Sequence, residues 1–187
     1  MSISKRITEA IDKMVAGDAE SALISASIAV DATAGQVYPT KRNNQAYKDW
    51  LHDNLTLITK VGMGNVSIEN MYLAYSHCDL LPDDKGLCSI EQIIYHVVRC
   101  GLLHKAKLPN TLRFSSKGVI KIEGDTLTLG SSLIYGLIAA VVVCPVNAKE
   151  RTPDNYSITV FGKPLSLNEL WGKKEVLLSL FENDNAT

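Results

Sequence analysis

Residues 22–34, Ala-Leu-Ile-Ser-Ala-Ser-Ile-Ala-Val-Asp-Ala-Thr-Ala, are small or apolar at nearly every position. A helix without a polar face is one that other elements cover on several sides, so a central helix is predicted from Asp18 to about Thr33. Asp18 is placed to accept free N–H groups of the first turn, Glu20 suits the positive end of the dipole, and Gly35 and Pro39 end the run. Over about residues 44–59, Tyr47, Trp50, Leu51, Leu55 and Ile58 recur at three- and four-residue spacing, a second amphipathic helix stopped by Gly62 and Gly64. Ser67 caps a predicted third helix over about residues 68–77, and after a polar loop Ser89 and Gln92 have capping-box spacing, opening a helix from residue 90 to about 103.

Near Lys117 the period changes from helical to alternating. Residues 119–129 predict a short β-hairpin around Gly124 and Asp125, and residues 108–114 before it read as a loop. Ser131 or Ser132 then caps an apolar helix to about Cys144, ended by Pro145. A single strand is predicted over residues 156–161, and Ser166 with Glu169 forms a second capping box, opening a helix through about Phe181 before a frayed acidic tail at 182–187. The expected fold is mainly α: a bundle of five to six helices in one domain over residues 1–187, with a small β-hairpin inserted at about 118–130.

Composition narrows the class. With 46% hydrophobic and 21% charged residues in 187, the chain is neither disordered, collagen-like nor a disulfide miniprotein, and its length suits one core. The longest apolar runs, at 22–30 and 133–144, fall short of the roughly 20 residues a spanning helix needs, so no membrane partner is expected. The polar N-terminal residues lack a signal-peptide core, and four cysteines without a C-x-x-C pair predict free thiols in a cytoplasmic protein.

The net charge of −1 is unevenly spread. From Arg99 to Ile122 there are six Lys/Arg and no Asp or Glu, leaving −7 for the rest. That segment, with Arg99, Lys105, Lys107, Arg113, Lys117 and Lys121, would bind a polyanion such as RNA through its phosphates, and Phe114 beside Arg113 would stack a base. Arg99 and His104 bring a permanent cation and a titratable imidazole to one helix end, a pairing suited to phosphodiester chemistry, although five positions is about 140° around an ideal helix. Asp31 interrupts the apolar central helix and needs a partner, for which Arg99 is a candidate. No P-loop and no G-x-S-x-G elbow is present. His96, Cys100 and His104 recur at four-residue spacing with His77, Cys78 and Cys88 elsewhere, but without short cysteine pairs the pattern assigns no metal and no cofactor.

The string from Tyr95 to His104, Tyr-His-Val-Val-Arg-Cys-Gly-Leu-Leu-His, resembles the signature of HEPN domains, and residues 28–34 followed by Tyr38 and Pro39 are similar to the first core helix of a bacterial branch of that family. The resemblance implies an up-and-down helical bundle and a metal-independent endoribonuclease that acts as a homodimer. Arg99 would neutralise the scissile phosphate and His104 would move the proton; Lys105, Lys107, Arg113 and Lys117 would hold the RNA, and Asp31, Tyr95 and Cys100 would support the site. It also implies a toxin or phage-defence effector restrained by an antitoxin or another inhibitor protein. Cys100 stands where the family often has an acidic or amide helper, and the alternative reading is a catalytically inactive HEPN-like module that binds RNA or protein.

Overall fold

The computed structural model describes residues 2–105, 108–160 and 163–184, with side chains at all of these except 103–105, 163 and 182–184. It is mainly α-helical, with three small sheets among the described residues. Helix α1 (Ile3–Val15) buries Ile3, Ile7, Ala10 and Ile11 on one face against α2 (Ala19–Val37). Sequence reading did not anticipate α1, although that apolar stripe has helical spacing. Gly17, at φ 78°, makes the turn between the two helices: its N–H donates to Met14 O and the N–H of Asp18 to Lys13 O, both at about 3 Å. This is a Schellman ending, which requires the left-handed conformation that glycine adopts without steric cost. Asp18 then caps α2 as expected, accepting from the Ser21 N–H at 3.0 Å.

Helix α2 is the central element, packed by α1, by α3 (Asn43–Gly62) and by α6 (Leu133–Val143). Its small side chains, Ala22, Ala26, Ala29 and Ala34, let these neighbours approach on several sides. Helix α6 is buried from Gly136 through Val143. Gly136 lies so close to α3 that an added Cβ would collide with the Ile58 carbonyl oxygen.

Five expectations are corrected. Residues 68–77 are not a helix: Tyr72–Leu73 form β1, antiparallel to β2 (Cys88–Ser89), and the Ile90 N–H donates to Met71 O. That tertiary pairing outweighs a weak local helical preference. Residues 108–114 are not wholly a loop, because Leu112–Ser115 form β3, which pairs in parallel with β5 (Thr126–Gly130). The predicted hairpin of β4 (Ile120–Glu123) with β5 is present, and with β3 it makes a three-stranded sheet in the order β3-β5-β4. The last predicted helix is two: α7 (Leu167–Leu170) and α8 (Lys174–Asp184) flank a break at Trp171 and Gly172, where Trp171 is buried and the Gly172 N–H turns to Val142 O at 2.9 Å. The helix runs beyond Phe181 to Asp184, so the expected tail at 182–187 is helical over its first half, and residues 185–187 lie outside the described residues. Strand β6 (Ser157–Val160) pairs with β7 (Lys163–Ser166) rather than standing alone.

Ser89 opens the helical run after β2, accepting from the Gln92 N–H at 3.3 Å. The run changes character within a turn: α4 (Ile90–Gln92) passes into a π-helical segment, Ile93–Arg99, and then into α5 (Cys100–Lys105). The Cys100 N–H reaches back five residues to Tyr95 O. A π-helical stretch of this length is rare, and such wide turns are frequent at functional sites. No helix among the described residues is long and apolar enough to cross a membrane.

Candidate functional site

Arg99 is the last residue of the π-helical segment, and its side chain crosses to α2. Its Nη2 donates to Asp31 Oδ2 at 3.1 Å, with the two side chains 11% and 24% exposed. Asn43, at the first turn of α3, donates from Nδ2 to the same carboxylate oxygen at 3.2 Å. The guanidinium lies 5.2 Å from the Tyr95 ring centroid, and Nη1 is 3.8 Å from Cys100 Sγ. Asp31, Tyr95 and Cys100 are therefore gathered around one cation. Burial works against the charge on Arg99, but the Cys100 contact and the Asp31 carboxylate outweigh it, so its pKa is held above the ordinary value.

Tyr47 closes the floor of the cluster, its ring edge-on to Tyr95 at 5.3 Å. Complete burial drives its hydroxyl pKa well above the usual phenol range, and burial likewise raises that of Tyr95 against the opposing pull of Arg99. Arg99 Nε and Asp31 Oδ1 are buried without a hydrogen-bond partner among the described residues, while the Tyr47 hydroxyl faces that of Ser27. Buried polar atoms are normally paired, so two such atoms on the two partners of one ion pair, where α2 meets the π segment, mark this polar cluster as exceptional. Ser27 and Asn43 were not singled out from the sequence. Ser27 was visible only as a break in an apolar run, and Asn43 had no local signal at all.

His104 and Lys105 continue along α5, but their side chains lie outside the described residues, as does Lys107 altogether. Arg113 is exposed on β3 and Lys117 is exposed in the loop after it. Phe114, expected to stack a base, instead alternates to the inner face of the sheet, where it lines a small apolar gap with Ile94, Val98 and Leu137. The polar and ring contacts of Arg99 run to Asp31, Cys100 and Tyr95, toward the helical layer.

The histidines and cysteines whose spacing in the sequence resembles metal ligands, His96, Cys100, Cys88, His77 and Cys78, are divided between different places in the fold. Cys88 is buried in β2, Cys100 faces Arg99, and His96 stands edge-on to Tyr95 at 4.9 Å. Burial, with Lys48 adding to it and Asp79 opposing, lowers the His96 pKa, which favours its neutral ring. His77 and Cys78 do come together, joined by Asp79: their ligand atoms all lie within 4.8 Å of one another. Asp79 carried no signal beyond its adjacency to the other two.

Mycobacterial proteins are similar to this chain over most of its length. The uncharacterized protein Rv1289 of Mycobacterium tuberculosis (strain ATCC 25618 / H37Rv) is 25% identical over 174 residues, covering 89% of this chain and 81% of that protein. The uncharacterized protein Mb1320 of Mycobacterium bovis is similar to the same extent, 25% over 174 residues with coverage of 89% and 81%. No solved structure matches the chain. The match to the Rv1289 family spans residues 2–187, nearly the whole sequence and every element described above, and the chain belongs to that family.

Proposed function

We propose that the protein is a HEPN-like, up-and-down helical bundle acting as a metal-independent endoribonuclease, and that it works as a homodimer. The observation that carries this reading is the oriented cation: Arg99, mostly buried, is fixed by Asp31 at the end of a π-helical turn, with His104 on the same helix. A guanidinium so held presents its remaining N–H groups in fixed geometry to a phosphate. His104 then removes the proton of the ribose 2′-hydroxyl or returns one to the leaving oxygen, leaving a cyclic phosphate end. The partner helix supplies the second half of the site, since Arg99 and His104 stand about 140° apart on one ideal helix. Lys105, Lys107, Arg113 and Lys117 add salt-dependent phosphate contacts. The biological role that suits such an enzyme is a cytoplasmic toxin or phage-defence effector restrained by an inhibitor protein.

The same ion pair favours a second reading. Arg99 is committed to Asp31, and Cys100 takes the place of a polar helper, which fits a catalytically inactive HEPN-like module that binds RNA or protein.

The two separate by assay. The enzyme reading predicts that purified protein will cleave single-stranded RNA in excess chelator, and that cleavage will fall at least about 100-fold in His104→Ala and in Arg99→Lys, which keeps the charge beside Asp31 but loses the planar fork. Thermal midpoints close to wild type exclude misfolding. Intact RNA with wild type, or equal cleavage by the variants, overturns the enzyme and leaves the binding module.

A further inference from the structure

The turn after β1 brings three chemically different metal donors to one point. His77 Nδ1 is 3.9 Å from Cys78 Sγ and 3.7 Å from Asp79 Oδ2. Zinc-ligand bonds of about 2.0–2.3 Å in a tetrahedron set neighbouring donor atoms about 3.3–3.6 Å apart, so two of the three spacings are within a few tenths of an ångström of a formed site. The third closes by side-chain rotation, which exposed Cys78 and Asp79 permit. The backbone fixes the rest: the Leu80 N–H donates to His77 O at 3.0 Å, closing the turn.

The imidazole is already set up as an acceptor at the centre of the triad. The Asp79 backbone N–H donates to His77 Nδ1 at 3.2 Å, so the ring proton sits on Nε2, and a cation takes over this single Nδ1 lone pair by displacing the amide hydrogen bond. A cation there replaces a partial positive charge with a full one. The carboxylate of Asp79, with about four lone-pair sites, keeps capacity for a ligand bond alongside its other contacts. Beside the triad is a cavity of about 330 Å³, lined by His77 and Asp79 and, on the helical run, by Val97 and Gly101.

We propose that His77, Cys78 and Asp79 bind one zinc-class divalent cation through imidazole nitrogen, thiolate and carboxylate, with water in the fourth position facing this cavity. Imidazole and thiolate together select zinc over magnesium or calcium, which take oxygen ligands. On binding, the Cys78 thiol gives its proton to solvent as the sulfur–metal bond forms. The site is separate from Arg99 and does not depend on the ribonuclease reading.

Titration of the metal-stripped full-length protein with Co²⁺ tests the assignment, because a thiolate–cobalt bond gives a near-ultraviolet charge-transfer band. The expected result is that band saturating at one equivalent, with Zn²⁺ displacing it. The band is absent in Cys78→Ser, and affinity falls at least about 10-fold in His77→Gln. Arg99→Lys keeps the band. Saturation below one equivalent, a band surviving in Cys78→Ser, or its loss in Arg99→Lys overturns the proposal. Because Cys78 is exposed, Cys78→Ser folds normally, and an unchanged thermal midpoint verifies it.

Discussion

Helix α6 and the helical run over residues 90–105 both follow a serine and both are dense in Ile, Val and Leu, yet one is a regular α-helix and the other opens into a π-helical turn. The difference lies in what each must bury. Helix α6 has no charged side chain, is covered on all sides by α2, α3 and its other neighbours, and needs only close packing. The π segment has to direct Ile94 and Val98 to the sheet, Val97 to the loop at 108–110, and Tyr95 with Arg99 to α2 and α3. Regular apolar packing favours regular geometry, whereas a helix that sends a buried cation to a distant carboxylate has a second demand on its backbone.

The comparison can be broken most severely in the apolar half. Gly136→Ala drives a methyl into Ile58 O, and since neither backbone has room to give, stability should fall by about 3 kcal/mol, measured by denaturant unfolding. In the polar half, Asp31→Ala leaves Arg99 buried without its carboxylate. Because both groups keep some contact with solvent, the expected loss is about 2 kcal/mol, below that of a fully buried pair. Adding Arg99→Met to Asp31→Ala should recover most of it, and a double-mutant cycle in which the effects simply add would refute the coupling.

The smallest effect sharpens the contrast from the other side, since even the apolar layer carries one anionic tie. Glu150 Oε2 accepts from the Ser4 N–H at 2.9 Å and from Ser2 Oγ at 3.0 Å, satisfying free donors at the start of α1 from far along the chain. Burial would raise its pKa, but these hydrogen bonds prevail and hold it below the ordinary value of 4.5. A carboxylate whose pKa falls on folding stabilises the fold above its unfolded value and loses that contribution as pH drops through the folded one. Glu150→Gln should therefore cost about 1 kcal/mol at pH 7, and the gap from wild type should close as pH falls below 4.5 and through the lowered folded value. A gap independent of pH would assign the effect to packing instead.

Local chemistry made parts of the fold legible. The Asp18 and Ser89 caps, the all-apolar α6 and the turn between β4 and β5 are each decided by a few neighbouring residues. Strand β1 and strand β3 were not legible, because Tyr72 and Leu112 find their partners at Ser89 and Leu127. Two-residue and four-residue strands carry too little periodicity to compete with a plausible helix or loop. For the candidate site, the need of Asp31 for a partner could be read from one charge in an apolar helix, and Arg99 meets it. Asn43, Ser27 and Tyr47 around the pair could not, being unremarkable where they stand in the chain.

The sequence by itself determined that the chain would be mainly helical, that a small-residue helix would lie at its centre, and that positive charge would gather from Arg99 onward. These follow from side-chain size, polarity and sign, which are properties of single residues and short spacings. Only the tertiary structure decided that Arg99 faces α2, that the helix bearing it widens into a π turn, and that His77, Cys78 and Asp79 turn their donor atoms toward one another. Side-chain direction depends on which surfaces must be buried together, and burial is a property of the whole packed chain.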